Sequence, residues 1–156
     1  MDCLNDTKNT SAKVLFVCTG NTCRSPMAEY CFREMVSDSG IESVSAGLYA
    51  FDGEAMSANS LEALAEIGID ANDFRSRSVT HLLAETSSLI ITMTESHKAE
   101  LIMRYPEAAA KCHTLLEKSG GDLPDPFGQS LGVYRKTRDI IREALKDWIN
   151  FFDIKK

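Results

Sequence analysis

Cys18 is followed, after five residues, by Arg24 and then by Ser25-Pro26, in the stretch VLFVCTGNTCRSP over residues 14–26. These residue types suit transfer of a phosphoryl group to sulfur. A loop joining a strand to a helix turns successive backbone N–H groups into one concavity, and the helix N-terminus adds the positive end of its dipole. Such a concavity holds a phosphate-like dianion, and Arg24 can close on two of its oxygens as a bidentate fork. Cys18 lies beneath, where the same positive field favours the thiolate, the nucleophilic form of cysteine. The chemistry implied is attack of sulfur on bound phosphorus. A lone cysteine ending an apolar strand is most often an inert core residue. The arginine and the Ser-Pro at this spacing set Cys18 apart. The loop is not a nucleotide P-loop, because it lacks the Gly-Lys-Ser/Thr ending.

Attack on phosphorus expels a leaving group that must receive a proton. LPDPFG, residues 123–128, offers Asp125 between two prolines. An aspartate can serve as acid in one step and base in the next. Standing alone, an Asp-Pro is usually a turn former. Paired with the Cys18 loop, it reads as catalytic. His81, His97 and His113 are isolated from one another and from any Cys or carboxylate at metal spacing. All three read as surface or edge residues, so neither a metal site nor a cofactor is expected.

Elements must bring these two stretches together. Val14–Val17 is an apolar run suited to a strand buried on both faces of a parallel sheet. Ser25 reads as an N-cap and Pro26 as the first position of an amphipathic helix over 26–37. Residues 41–46 form a second predicted strand, ending at Gly47. Tyr49 and Phe51 follow in a loop as exposed aromatics. Ala58, Leu61, Leu64 and Ala65 mark a helix closed by Gly68, and Thr80 caps a short turn. Residues 88–92 are a third strand, and Thr94 caps a helix over 95–104 that stops before Tyr105-Pro106. A weaker fourth strand spans 111–116. The Gly- and Pro-rich loop 119–129 carries Asp125 to the same sheet edge as Cys18. Tyr134, Ile141, Leu145, Trp148 and Phe152, with Ile140, Ala144 and Ile149, stripe a long C-terminal helix. The alternation predicts an α/β fold: a three-layer αβα sandwich on a central four-stranded parallel sheet, with the phosphate loop between the first strand and first helix. Ligands in such sheets bind beyond the carboxyl ends of the strands, at a switch point.

At 156 residues the chain is expected to form one domain over 13–156, with residues 1–12 a flexible tail. No run approaches the length of a membrane span, and the N-terminus lacks a signal-peptide core, so a cytoplasmic protein is expected. Five cysteines, Cys3, Cys18, Cys23, Cys31 and Cys112, are odd in number and unevenly scattered, which argues against a disulfide framework. Cys31 lies on an apolar helix face and reads as core. The net charge of −6 disfavours nucleic acid or an anionic membrane as partner. Any anion site must therefore be local.

VCTGNTCRSP early and DPFG late, separated by a βαβ pattern, resemble the low-molecular-weight protein phosphatase family over essentially the whole chain beyond the tail. The resemblance implies a phosphocysteine mechanism without metal, acting on phosphorylated proteins; a monomer is expected. In it Cys18 is the nucleophile, while the backbone of Thr19, Gly20, Asn21, Thr22, Cys23 and Arg24, with the Arg24 side chain, binds phosphate. Ser25 stabilises the Cys18 thiolate by a hydrogen bond, and Asn21 shapes the loop. Asp125 first protonates the leaving group and then activates water. Substrate choice hangs on Thr22, Phe127 and Gly128. Tyrosine-directed members usually carry an apolar residue at the Thr22 position and a second aromatic at the Gly128 position, so Thr22 with DPFG looks like the bacterial protein-arginine phosphatase branch. A planar, polar guanidinium suits a threonine hydroxyl and a carboxylate, whereas an aromatic ring favours apolar walls. Phosphotyrosine is the alternative substrate. Phe74 departs from the family pattern, where histidine is common, and leaves open what buttresses the Asn21 region. A thiol arsenate reductase would need two further cysteines near the site, and residues 82–103 contain none. A non-catalytic phosphate module would not need Cys18, Arg24 and Asp125 together. Cys23, at the far end of the loop from Cys18, is expected to capture an oxidised Cys18 in a disulfide.

Overall fold

Strand β1, Lys13–Cys18, runs through the middle of the molecule, and Val14, Leu15, Phe16 and Val17 have no solvent exposure. Two parallel neighbours explain this. Strand β2, Glu42–Gly47, lies on one side and β3, Leu89–Thr92, on the other. Strand β4, Cys112–Thr114, extends the sheet beyond β3, giving the order β2-β1-β3-β4 with every pairing parallel. A computed structural model describes residues 12–152. The expected tail over 1–12, and Cys3 within it, lie outside the described residues except for Ala12.

The period of two along β1 divides the core. Val14, Phe16 and Cys18 face helices α1, Arg24–Met35, α2, Ala58–Ala65, and α5, Leu131–Phe151. Leu15 and Val17 face Ala84 of α3, His81–Thr86, and Leu101 of α4, Glu95–Arg104. The result is the expected three layers. The chain leaves β1 toward β2 and then returns across it to β3, so the loop after β1 lies at the switch point of the sheet. Thr80 and Thr94 cap α3 and α4 by accepting from Leu83 N and His97 N, each at 3.1 Å. Among the described residues, no helix is long and apolar enough to cross a membrane.

Several boundaries differ from expectation. Helix α1 begins at Arg24, not Pro26, with Met27 N donating to Cys23 O at 3.2 Å. Pro26 still falls in the first turn, where a missing N–H costs no helical bond. Ser25 is therefore inside the helix and is not its cap. The fourth strand is shorter than 111–116 because Pro106–Lys111 winds into a 3-10 turn first. Ile140 is 37% exposed and leaves the apolar stripe of α5, whose buried face is Tyr134, Ile141, Leu145 and Trp148.

Candidate active site

The register of the sheet sets the site. Cys18 pairs with Gly47, and Val17 with Thr92, so three strands end level with one another. Leu48 N donates to Cys18 O and Tyr49 N to Thr19 O, both at 2.9 Å, which ties the first loop to the chain leaving β2. Gly47 makes this approach possible. A Cβ there would stand 2.6 Å from Thr19 O and 2.8 Å from the Ala50 Cβ, both inside contact distance.

The Cys18 sulfur is buried, with the Ser25 Oγ 2.9 Å away. The direction of that hydrogen bond follows from Asn21. Its Oδ1 accepts from Arg77 N at 2.9 Å, which fixes the amide orientation. Its Nδ2 then donates to both Ser25 Oγ and Ser45 Oγ, each at 2.9 Å. With Ser25 Oγ accepting from Asn21, the hydroxyl proton of Ser25 is left for the sulfur. Ser45 in turn donates to Glu29 Oε1 at 2.6 Å, and Glu29 pairs with Arg33. Burial pushes the Glu29 carboxyl above its usual range, against the opposing Ser45 bond and Arg33 charge. Asn21 itself holds the left-handed φ of 58°, which asparagine tolerates better than most side chains. Ser45, Arg77 and Glu29 thus answer what supports the Asn21 region in the absence of histidine. Phe74 is instead packed in the core, edge-on to Tyr30.

Arg24 is 6% exposed. Its Nη1 donates to Leu123 O at 3.0 Å, and Leu123 N donates to Met93 O, which pins the Asp125 loop to the end of β3. The Arg24 Nη2 stands 3.6 Å from Asp125 Oδ2. Asp125 is half-open to solvent, so this pair orients the two groups more than it stabilises the fold. The other carboxyl oxygen accepts from Phe127 N at 3.1 Å.

One cavity of about 210 Å3 is lined by the Cys18–Arg24 loop on one side and by Asp125 and Phe127 on the other. The structure thus brings Cys18 through Arg24, Asp125 and Phe127 to one cavity, with Ser25 buried just behind the sulfur, while Gly128 is not among the residues that line it. Among the described residues, no carbonyl or side chain accepts from the backbone N–H groups of Gly20, Asn21, Thr22 and Cys23. Unpaired donors converging on a cavity beside a buried guanidinium are the requirement for binding an oxyanion.

His97 is the clearest correction. It is buried, not at the surface, and its Nε2 lies 2.9 Å from Thr19 Oγ1. Burial, with the Arg24 guanidinium nearby, pushes the imidazole down to about 4, so it is neutral at physiological pH. His81 and His113 do lie at the periphery, beside Glu107 and Glu117. Cys31 is buried as expected, and desolvation pushes its thiol up to about 12; Cys112 rises to about 11 for the same reason. Glu29, Ser45, Arg77 and His97 escaped sequence reasoning. The clue available for Glu29 was its place between Ala28 and Cys31 on α1.

Comparison with known proteins agrees with this geometry. Residues 13–156 match the family model described as low molecular weight phosphotyrosine protein phosphatase. The chain is 38% identical over 138 residues to a protein-arginine-phosphatase of Bacillus subtilis, covering 85% of this chain and 91% of that protein. It is 40% identical over 131 residues to the low molecular weight protein-tyrosine-phosphatase PtpB of Staphylococcus haemolyticus, covering 80% and 88%. The solved YwlE arginine phosphatase, in a cysteine-to-serine variant with a phosphorylated active-site serine, superposes with a TM-score of 0.86 at 34% identity, over 92% of this chain and 97% of that one. With fold, loop and matched span in agreement from residue 13 onward, the chain belongs to the low-molecular-weight phosphotyrosine protein phosphatase family.

Proposed function

We propose that this protein is a phosphatase for phosphorylated arginine side chains in proteins, working through a phosphocysteine on Cys18. The observation that carries the reading is the shared cavity, with a buried sulfur under unpaired N–H donors and Arg24, and Asp125 across from them. In the first step the Cys18 thiolate, held by the Ser25 hydroxyl, attacks phosphorus. The P–N bond breaks and Asp125, as the acid, gives its proton to the departing guanidine nitrogen. In the second step the Asp125 carboxylate takes a proton from water, whose oxygen attacks phosphorus. The S–P bond breaks, phosphate departs, and the thiolate returns. Backbone donors and Arg24 hold the equatorial oxygens in both steps. The enzyme acts as a single domain over 13–156 and as a monomer. A reducing cytoplasm would keep Cys18, Cys23, Cys31 and Cys112 as the free thiols of this conformation.

Thr22 supports arginine. It lines the cavity and is anchored by Ser57 N donating to Thr22 O at 3.0 Å, so its side chain offers a hydroxyl on a fixed backbone. Phe127, 71% exposed at the mouth, favours the second reading, phosphotyrosine, since it could flank an aryl ring. Thr22→Ile discriminates them. The ratio of kcat/KM for phosphoarginine over phosphotyrosine peptides is expected to fall by at least about tenfold. A ratio that stays unchanged would remove Thr22 from substrate choice.

The same thiolate should be sensitive to peroxide. Oxidation of Cys18 to a sulfenic acid, reduced in turn by the Cys23 thiol, forms an S–S bond and releases water. Cys23 here donates to Ser57 Oγ at 3.3 Å and lies 3.4 Å from the Tyr134 hydroxyl, so it must turn away from both to reach Cys18. Peroxide should abolish activity and dithiothreitol restore it, with Cys18 and Cys23 joined in the peptide map. Cys23→Ser should be inactivated equally but recover poorly. Full recovery of that variant would exclude Cys23 as the resolving thiol.

A further inference from the structure

His97 stands outside the roles assigned so far, yet it is 6% exposed and its Nδ1 has no hydrogen-bond partner among the described residues. Burying an unpaired polar nitrogen is costly, so something at the other end of the ring must justify the residue. That other end meets Thr19, a cavity-lining residue whose hydroxyl oxygen lies 2.9 Å from Nε2. The tautomer follows from the orphaned atom. A buried N–H without an acceptor is rarer and more costly than a buried lone pair without a donor. Nδ1 is therefore the unprotonated nitrogen, and Nε2 carries the hydrogen. Nε2–H then donates to Thr19 Oγ1, and among the described residues no other group accepts the hydroxyl proton of Thr19.

We propose that His97 is a positioning residue of the phosphoryl site. By donating to Thr19 Oγ1, it turns the Thr19 hydroxyl proton toward an oxygen of the phosphoryl group held in the loop. The inference rests on the phosphatase reading above and adds to it a side-chain donor at the first position after the nucleophile. The neutral imidazole suits this task. A second proton on Nδ1 would also lack an acceptor, and it would place a cation in the field of Arg24; Asp122, Asp125 and Glu100 only partly offset that field. The N-terminus of α4 holds the ring in place through the Thr94 cap, whose Oγ1 accepts from His97 N at 3.1 Å.

A double-mutant cycle tests the contact. His97→Leu keeps the buried volume while removing the unpaired nitrogen, so its Tm should not fall. Its kcat/KM on a phosphoarginine peptide should drop about tenfold, and Thr19→Val should drop by a similar factor. The double variant should be no worse than either single one, because both remove the same directed proton. His97→Gln, whose amide N–H can reach the position of Nε2, should recover most of the loss. Losses that multiply in the double variant would show that His97 acts through the fold alone and overturn the proposal. So would activity of His97→Leu within about twofold of wild type. Orthovanadate affinity, measured by calorimetry across the same four proteins, repeats the cycle without turnover. A wild-type protein inert toward all phosphorylated substrates would overturn the reading of the whole site, while the vanadate cycle would still decide the His97 contact.

Discussion

Cys18→Ser is expected to lower steady-state turnover by at least about 10^4-fold while leaving vanadate affinity within about tenfold of wild type. The two effects separate because different atoms carry them. On the proposed reading, oxyanion binding rests on the N–H groups of the loop and on Arg24, and neither depends on the sulfur. On the same reading, nucleophilic attack rests on the Cys18 sulfur, with the Ser25 hydroxyl 2.9 Å away. A serine hydroxyl in the same place stays protonated at neutral pH and has no base beside it. Any phosphoryl group it does accept should remain, since an alkoxide is a far poorer leaving group than a thiolate. In the related YwlE arginine phosphatase, a cysteine-to-serine variant does carry a phosphorylated active-site serine. Mass spectrometry of Cys18→Ser after incubation with substrate should therefore find a phosphoryl group on residue 18. Turnover within about tenfold of wild type would mean that another group attacks phosphorus.

The candidate phosphate cradle was legible because its parts are adjacent in sequence. An apolar strand, a cysteine, a short loop and an arginine at a helix start define one local turn, and local turns follow from local residues. Thr80 and Thr94 were legible as caps for the same reason. Ser25 shows the limit even within that turn. Ser-Pro carries a capping signature, yet the helix starts earlier, and the hydroxyl serves the sulfur instead of the helix. His97 was not legible. An isolated histidine on a helix reads as a surface or edge residue, and its burial depends on a loop 78 positions earlier in the chain. Glu29 was missed in the same way. An acidic residue on a helix reads as exposed unless one knows that Ser45 of β2 will stand opposite it. Phe74 had pointed to a missing buttress, and two long-range partners of Asn21, Ser45 and Arg77, supply it.

Asp125→Asn should separate acid catalysis from positioning. The amide oxygen of asparagine can still accept from Phe127 N, as Asp125 does at 3.1 Å, so the loop between the prolines should keep its shape. On the proposed mechanism, what is lost is the proton delivered to the leaving group. For kcat/KM, which covers events only through the first irreversible step, the expected loss on phosphoarginine is about 10^2–10^4-fold, the usual range for general acid catalysis. A free guanidine is strongly basic and leaves badly without a proton. An activated aryl phosphate departs as a weakly basic phenolate, so the same variant should lose much less on that substrate. Loss of the charge facing Arg24 should act on both substrates alike, since both place the same phosphoryl group between the guanidinium and the loop. The difference between the two losses therefore measures proton transfer, and their common part measures binding. Equal losses on the two substrates would deny Asp125 the role of acid and leave it only the orientation of Arg24.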